Sequence, residues 1–438
     1  MSKLPKVLVI GINAWQDNTG INTLTNLFKN WDNNNLYQIY TRSELPSTKV
    51  CNNFFQISEI SVLKSIFNRK IKTGKVVENN FSNSQHLSKS TIEERTVYSF
   101  IRKHRSFLFY ILREIAWKLG KWNSKELDDF IDKCDADVIF MPIYSYSYMA
   151  SLQEYVIKRV NKPVITYITD DVYSYKSTKA NLFFYLHRFL LRRNIRKVMK
   201  YNNQLFVIAP KVKKEFDKIF KTNSKILTKG IDFNNYSFKE KQINEPIKFV
   251  YTGKLNLDRW KSLSILAQEI KKINRESIKA MLYIYTMDDL SKKVANSLNL
   301  ENASKIMGPA TLDEVLKIQQ DADILVFTES LSWRFKDIAR LSFSTKLTDY
   351  MANGKCILAI GKEDIAPIEY LKENDAALIA SNHKEITSQL KKVCHDKSII
   401  NIYALNAYRC GVKNHSEEDI QKLFKNTLIN VSKMEVDT

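Results

Sequence analysis

The stretch Ser342-Phe343-Ser344-Thr345-Lys346-Leu347-Thr348-Asp349-Tyr350-Met351-Ala352-Asn353-Gly354-Lys355-Cys356-Ile357-Leu358-Ala359-Ile360-Gly361 reads as a polar loop, an amphipathic helix, a glycine turn and a buried strand. Ser342, Ser344 and Thr345 are good capping residues, placed where a helix leaves its first backbone N–H groups unpaired. Lys346 falls in the first turn, where a cation opposes the helix dipole unless an anion lies between them. Free N–H groups, hydroxyls and one lysine at a helix start make a phosphate cradle. Leu347, Tyr350 and Met351 share one face and are expected to be buried. Gly354 ends the helix, and the apolar run Cys356 to Ile360 suits a central parallel strand.

Within this stretch, Thr345-Lys346-Leu347-Thr348-Asp349-Tyr350-Met351-Ala352-Asn353-Gly354-Lys355 resembles the donor-site motif of the GT-B nucleotide-sugar glycosyltransferases. The resemblance is dense over residues 247–380 and only an outline before that. It implies an α/β chain of two Rossmann-like, doubly wound domains facing across a cleft, of the type used in bacterial surface-polysaccharide synthesis. The chain departs from the pattern at one point. Many retaining members carry two glutamates at a fixed spacing around this loop, whereas here Asp349 stands at the second position and Leu341 at the first.

Bulk properties agree with a two-domain α/β chain. A chain of 438 residues exceeds what one hydrophobic core usually supports. Helical patterns alternate with short apolar strands. The formal net charge of +21 attracts anionic partners. With no zinc-finger spacing and no ribonucleoprotein motif, nucleic acid is set aside and an anionic membrane surface is expected instead. Five scattered cysteines with no Cys-x-x-Cys pair argue against a disulfide framework or structural zinc. The start, Met-Ser-Lys-Leu-Pro-Lys, is too short for a signal peptide, and no apolar run is long enough to span a bilayer. The expected location is cytoplasmic, peripheral to the inner membrane face.

Along the chain, Val7 to Ile10 reads as a first strand, with Thr19 and Gly20 opening the next helix on the acceptor side. Residues 60–125 read as a basic helical insertion, with a capping box at Ser90 and Glu93. Leu182 to Lys200 is amphipathic, its apolar face drawn from Leu182, Leu186, Phe189, Leu190 and Ile195. Each basic helix is either packed with a solvated outside or interfacial on anionic lipid. Strands are expected at 138–141, 164–168, 205–208, 247–251, 280–285, 304–307, 323–327 and 356–360. The domains are drawn as 1–232, a linker at 233–246, a donor domain at 247–412, and a final helix from 413 packing back on the first domain. Asp288-Asp289 is expected to cap a helix, and Thr311 to Glu314 forms a capping box.

Glycosyl transfer needs a neutralised diphosphate leaving group, a presented anomeric carbon and excluded water. Arg259 and Lys261 would clamp a diphosphate, with a surface salt bridge from Arg259 to Asp258 or a neighbour as the plain alternative. Gly253 would let backbone approach closely after a strand, and Met307-Gly308-Pro309 resembles the family's backbone that contacts the nucleotide base, which implies donor contact at Gly308. Glu329 and Arg340 either face the sugar or are solvated loop charges. Asp170 and Asp171 follow a strand end, where they serve acceptor binding or proton handling, cap the next segment, or hold a metal.

The resemblance implies that Lys346 joins Arg259 and Lys261 on the diphosphate, that Ser344 and Thr345 add first-turn contacts, and that Asp349 holds the ribose. It implies a nucleotide-sugar donor, a glycan or lipid-linked acceptor, no obligatory metal or other cofactor, and retention favoured over inversion. The alternatives are a GT-B-shaped binding or scaffold protein without catalysis, motivated by Leu341, and a sugar-nucleotide epimerase of the same fold.

Overall fold

A computed structural model describes residues 4–17, 23–80, 107–176 and 181–435. Thr19, Gly20 and the Ser90–Glu93 box lie outside the described residues.

Two sheets divide the chain. The first holds β1 (Val7–Ile10), β2 (Leu36–Tyr40), β3 (Asn53–Ile57), β4 (Gly74–Val77), β5 (Val138–Pro142), β6 (Val164–Ile168), β7 (Asn202–Val207) and β8 (Lys225–Ile226). The second holds β9 (Ile247–Thr252), β10 (Ala280–Tyr285), β11 (Ser304–Gly308), β12 (Ile324–Thr328), β13 (Cys356–Ile360) and β14 (Leu378–Ala380). Their orders are β4-β3-β2-β1-β5-β6-β7-β8 and β11-β10-β9-β12-β13-β14. Every pairing is parallel except β3 with β4. In each sheet the strand order reverses beside the first strand of that half, so β1/β5 and β9/β12 mark the crevices where ligands gather.

The expected strands are present, and β2, β3, β4 and β14 are among the additional ones. Region 60–125 is therefore not purely helical: β4 lies within it, as an antiparallel edge. Leu347, Tyr350 and Met351 are buried as the helical spacing requires. Gly354 takes a left-handed φ of +59°, which favours glycine at the helix stop. The Thr311–Glu314 capping box forms on both sides. Asp288 does not cap a helix. The next helix starts at Lys292 with Ser291 as its cap, while Asp288 accepts from Leu255 N at 2.6 Å and fixes the turn after β9.

The final helix, Glu417–Val431, is capped by Ser416 and lies against the first sheet. Phe424 meets Phe28 edge-on at 4.9 Å and packs on Phe140 and Phe206. Ile231 and Ser416 bridge beside it, which ties the end of the first half to the last helix. One buried cluster runs from the first sheet into residues such as Phe343, Tyr350 and Tyr370 of the second half, so the halves share apolar contact near the cleft. Among the described residues no helix is long and apolar enough to cross a membrane.

Candidate active site

The site is built on the carboxyl ends of β9 and β12. β9 ends at Thr252, whose carbonyl accepts from Lys346 Nζ at 3.0 Å. Gly253 follows, and a Cβ there would collide with that same ammonium group. The glycine thus serves close approach, of a side chain from the other side of the crevice. Water reaches Lys346, yet the atoms crowding Nζ hold its pKa below the ordinary lysine value, with the nearby Arg259 adding to the effect.

Glu329 directly follows β12 and is fixed by its backbone: its N–H donates to Ile360 O at 2.8 Å and its carbonyl accepts from Ser262 Oγ at 3.0 Å. Its carboxylate takes Arg259 in a two-pronged pair, Nε to Oε2 at 3.0 Å and Nη2 to Oε1 at 2.8 Å. Arg259 therefore pairs across the crevice, and Asp258 pairs instead with Lys261 at 2.8 Å. Burial opposes the guanidinium charge, but Glu329 outweighs it and raises the Arg259 pKa. Arg259, Glu329 and Lys346 form one electrostatic group. Lys261 is outside it, on an exposed first turn over the Trp260 ring.

The helix carrying Lys346, Lys346–Ala352, is seven residues long, and its N-cap Thr345 makes no side-chain cap. The capping expected of Thr345 is thus not formed. Its carbonyl instead accepts from Thr348 Oγ1 at 2.6 Å, and the Ser344 carbonyl accepts from Leu347 N. Asp349, in the same helix, receives Lys229 Nζ on Oδ1 at 2.5 Å, a contact from the segment after β8. Burial still raises the Asp349 pKa, with Lys229 opposing. Gly308 ends the edge strand β11 at φ +86° with open space where a Cβ would point.

Across the cleft, Asp170 and Asp171 follow β6 and behave differently. Burial raises the Asp170 pKa, while the hydroxyls of Ser342 and Thr169 oppose the rise. Asp171 is also penalised by burial, but Ser174 and Arg340 outweigh it and hold its carboxyl below the usual range. Arg340 donates to Asp171 Oδ2 at 2.8 Å and to Glu215 Oε1 at 2.8 Å, so the loop after β12 is bound to the first half. The Glu215 pairing is the main cause of a raised Arg340 pKa. Arg340 is buried in this network rather than solvated.

Sequence reasoning passed over Lys229, Glu215 and Lys254. The first two matter only through long-range pairs and carry no local signal. Lys254 did carry one, as the residue next to Gly253: its charge also lowers the Lys346 pKa. Among the described residues no three His, Cys, Asp or Glu side chains group as metal ligands. All five cysteines are unpaired.

Two doubly wound sheets, parallel apart from the β3–β4 edge, with charged residues at their crevices define the GT-B class of fold. Residues 246–396 match the family model described as Glycosyl transferases group 1, so the second half of the chain carries a glycosyltransferase domain of that group. No curated protein matches the chain. Among solved structures, Anabaena HepE in complex with UDP is similar at 11% identity, covering 97% of this chain and 100% of that one with a TM-score of 0.59. Sucrose-phosphate synthase from Thermosynechococcus elongatus is similar at 10% identity over 97% and 98%, with a TM-score of 0.58. A glycosyltransferase from Rickettsia africae is similar at 12% identity over 98% and 99%, with a TM-score of 0.55. What these three share with the chain is the fold across nearly its whole length.

Proposed function

We propose that the protein transfers a sugar from a nucleotide-diphosphate donor to a glycan or lipid-linked acceptor in bacterial surface-polysaccharide assembly, working at the cytoplasmic face of an anionic membrane. The observation that carries the reading is the group formed by Arg259, Glu329 and Lys346 beneath Gly253, inside the glycosyltransferase domain. In this reading the acceptor oxygen bonds to the anomeric carbon while the bond to the diphosphate breaks, and the electron pair leaves on the diphosphate. Arg259 and Lys346, with Lys254 beside them, meet that charge without a metal ion, and Glu329 holds the guanidinium in place. A lysine with a lowered pKa, crowded among cations, gains most from an arriving anion. Asp349 offers its second carboxylate oxygen to the ribose. Asp170 faces the acceptor hydroxyl, and its raised pKa suits proton handling. Retention is the outcome we favour, from the resemblance of the donor motif.

Thermal stabilisation by a panel of UDP, GDP, ADP and CMP sugars tests the donor site. UDP-sugars come first, because UDP is bound in the Anabaena HepE structures. A shift with one nucleotide class that disappears in Lys346→Ala supports the reading, and no shift with any of them counts against it. The fully buried Leu341, at the position of the missing first glutamate, favours a second reading as a binding protein. That reading predicts the shift without sugar turnover.

A further inference from the structure

The helix Leu182–Met199 buries only part of its expected apolar face. Leu191, Ile195 and Val198 pack inward, whereas Leu182 is 80% exposed and Leu186 and Phe189 are each 57% exposed. Among the described residues, the apolar stripe is thus left uncovered in the first half of the helix. Beside it lies the helix Phe107–Leu119, which exposes Leu112, Ile115 and Leu119. Between the two helices a groove of about 650 Å³ opens, lined by Ile111, Ile115, Trp117, Leu186 and Leu190 among others. Trp117 stacks on Tyr148 at 4.5 Å to form part of its wall.

Charge says what covers this face. The helix Leu182–Met199 contains no acidic residue, and Arg193, Arg196, Lys197 and Lys200 continue it as an exposed basic run. Lys118 and Lys121 are exposed on the neighbouring element. The one carboxylate of the helix Phe107–Leu119, Glu114, is spent on the backbone N–H groups of Ser147 and Tyr148 at 2.9 Å each. Exposed leucine and phenylalanine continuous with arginine and lysine match the boundary between acyl chains and anionic headgroups. An acidic protein partner would satisfy the cations but leave the protruding leucines without a hydrocarbon phase.

We infer that these two helices form a docking face for a bilayer leaflet containing anionic lipid, with hydrocarbon entering the groove between them. The inference deepens the proposed function and rests on it for the reason such a face is present. It also fixes a geometry. Arg188 donates to Val172 O at 2.8 Å and Arg192 to Tyr173 O at 3.1 Å, so the docking helix grips the loop that carries Asp170 and Asp171. The leaflet therefore sits beside the acceptor side of the cleft, where a lipid-linked acceptor would arrive.

The test is sedimentation of the full chain with vesicles of phosphatidylcholine alone and of phosphatidylcholine mixed with phosphatidylglycerol. The expected result is binding to the mixed vesicles only, weakened by salt. Leu186→Glu and Phe189→Glu should each weaken binding by about tenfold, and Arg193→Glu/Lys200→Glu should weaken it as well. All three should keep the nucleotide-sugar thermal shift of the unaltered protein, which separates failure of this inference from failure of the donor-site reading. No binding to mixed vesicles, or binding that these substitutions leave unchanged, would overturn the inference. So would a dimer in vesicle-free buffer that Leu186→Glu dissociates, because the face would then belong to a second copy.

Discussion

Replacing Arg340 by methionine removes one of the cations that pair across the two halves of the molecule. The side chain is 8% exposed and Asp171 is 11% exposed, so the substitution leaves a buried carboxylate without its charged partner, held only by Ser174 and the Tyr173 N–H. Breaking such a pair costs about 3–5 kcal/mol. Glu215, the other partner, is 27% exposed and recovers part of its hydration, which puts the expected loss at about 3 kcal/mol. The loss must also depend on pH. The Asp171 pKa is lowered in the folded protein, so its stabilising contribution is present above the unfolded carboxyl value and disappears as pH falls through the folded value. Without Arg340 its share of that contribution is absent, while the Ser174 N–H and hydroxyl still hold the carboxylate. The gap between the two proteins should then be widest near neutral pH and narrow below about pH 4. Chemical denaturation followed by tryptophan fluorescence, at neutral and acidic pH, measures this directly. Asp171→Asn/Arg340→Met should recover part of the loss. An Arg340→Met protein within about 0.5 kcal/mol of the unaltered one, or a loss identical at both pH values, would refute the reasoning.

Other outcomes follow from the same geometry. Asp170 carries a raised pKa, so its ionisation costs stability once pH rises through the folded value; Asp170→Asn should raise the melting temperature at neutral pH while lowering turnover with acceptor. Gly253→Ala should push Lys346 Nζ off the Thr252 carbonyl and weaken the donor-induced thermal shift, with far-ultraviolet circular dichroism unchanged. Because the Lys346 pKa lies below the ordinary lysine value, donor affinity measured by titration calorimetry should decline with rising pH earlier than a free lysine would dictate. Lys346→Arg should remove that decline.

Much of the fold was legible because buried parallel strands are written as continuous apolar runs: VLVI at β1, VITYI at β6 and ILVFT at β12. Strands β2 and β3 broke that pattern with Gln38 and Gln56. Both are buried, and both find partners far along the chain: Gln38 on Trp15 N and Asn13 O, Gln56 on Arg42 O. A polar residue satisfied by tertiary contacts looks like a surface residue in sequence. The donor segment was legible for the opposite reason, since its helix, turn and strand are contiguous. Its partners were not. Arg259 meets Glu329, Lys229 meets Asp349 and Arg340 meets Asp171 only after folding brings distant segments together. The helix Leu182–Met199 showed its amphipathic period plainly, but periodicity cannot say how much of an apolar stripe the rest of the protein covers.

The central claim is that the crevice beneath Gly253 supports sugar transfer, and nucleoside diphosphate release tests it most directly. The protein would be supplied with the nucleotide sugar that stabilises it and with a membrane-extracted glycolipid fraction, beside Arg259→Ala and Lys346→Ala. The account predicts acceptor-dependent release by the unaltered protein, and loss of that release in both variants while they remain folded. Nucleotide binding with no acceptor-dependent release, or release that survives both substitutions, would contradict it.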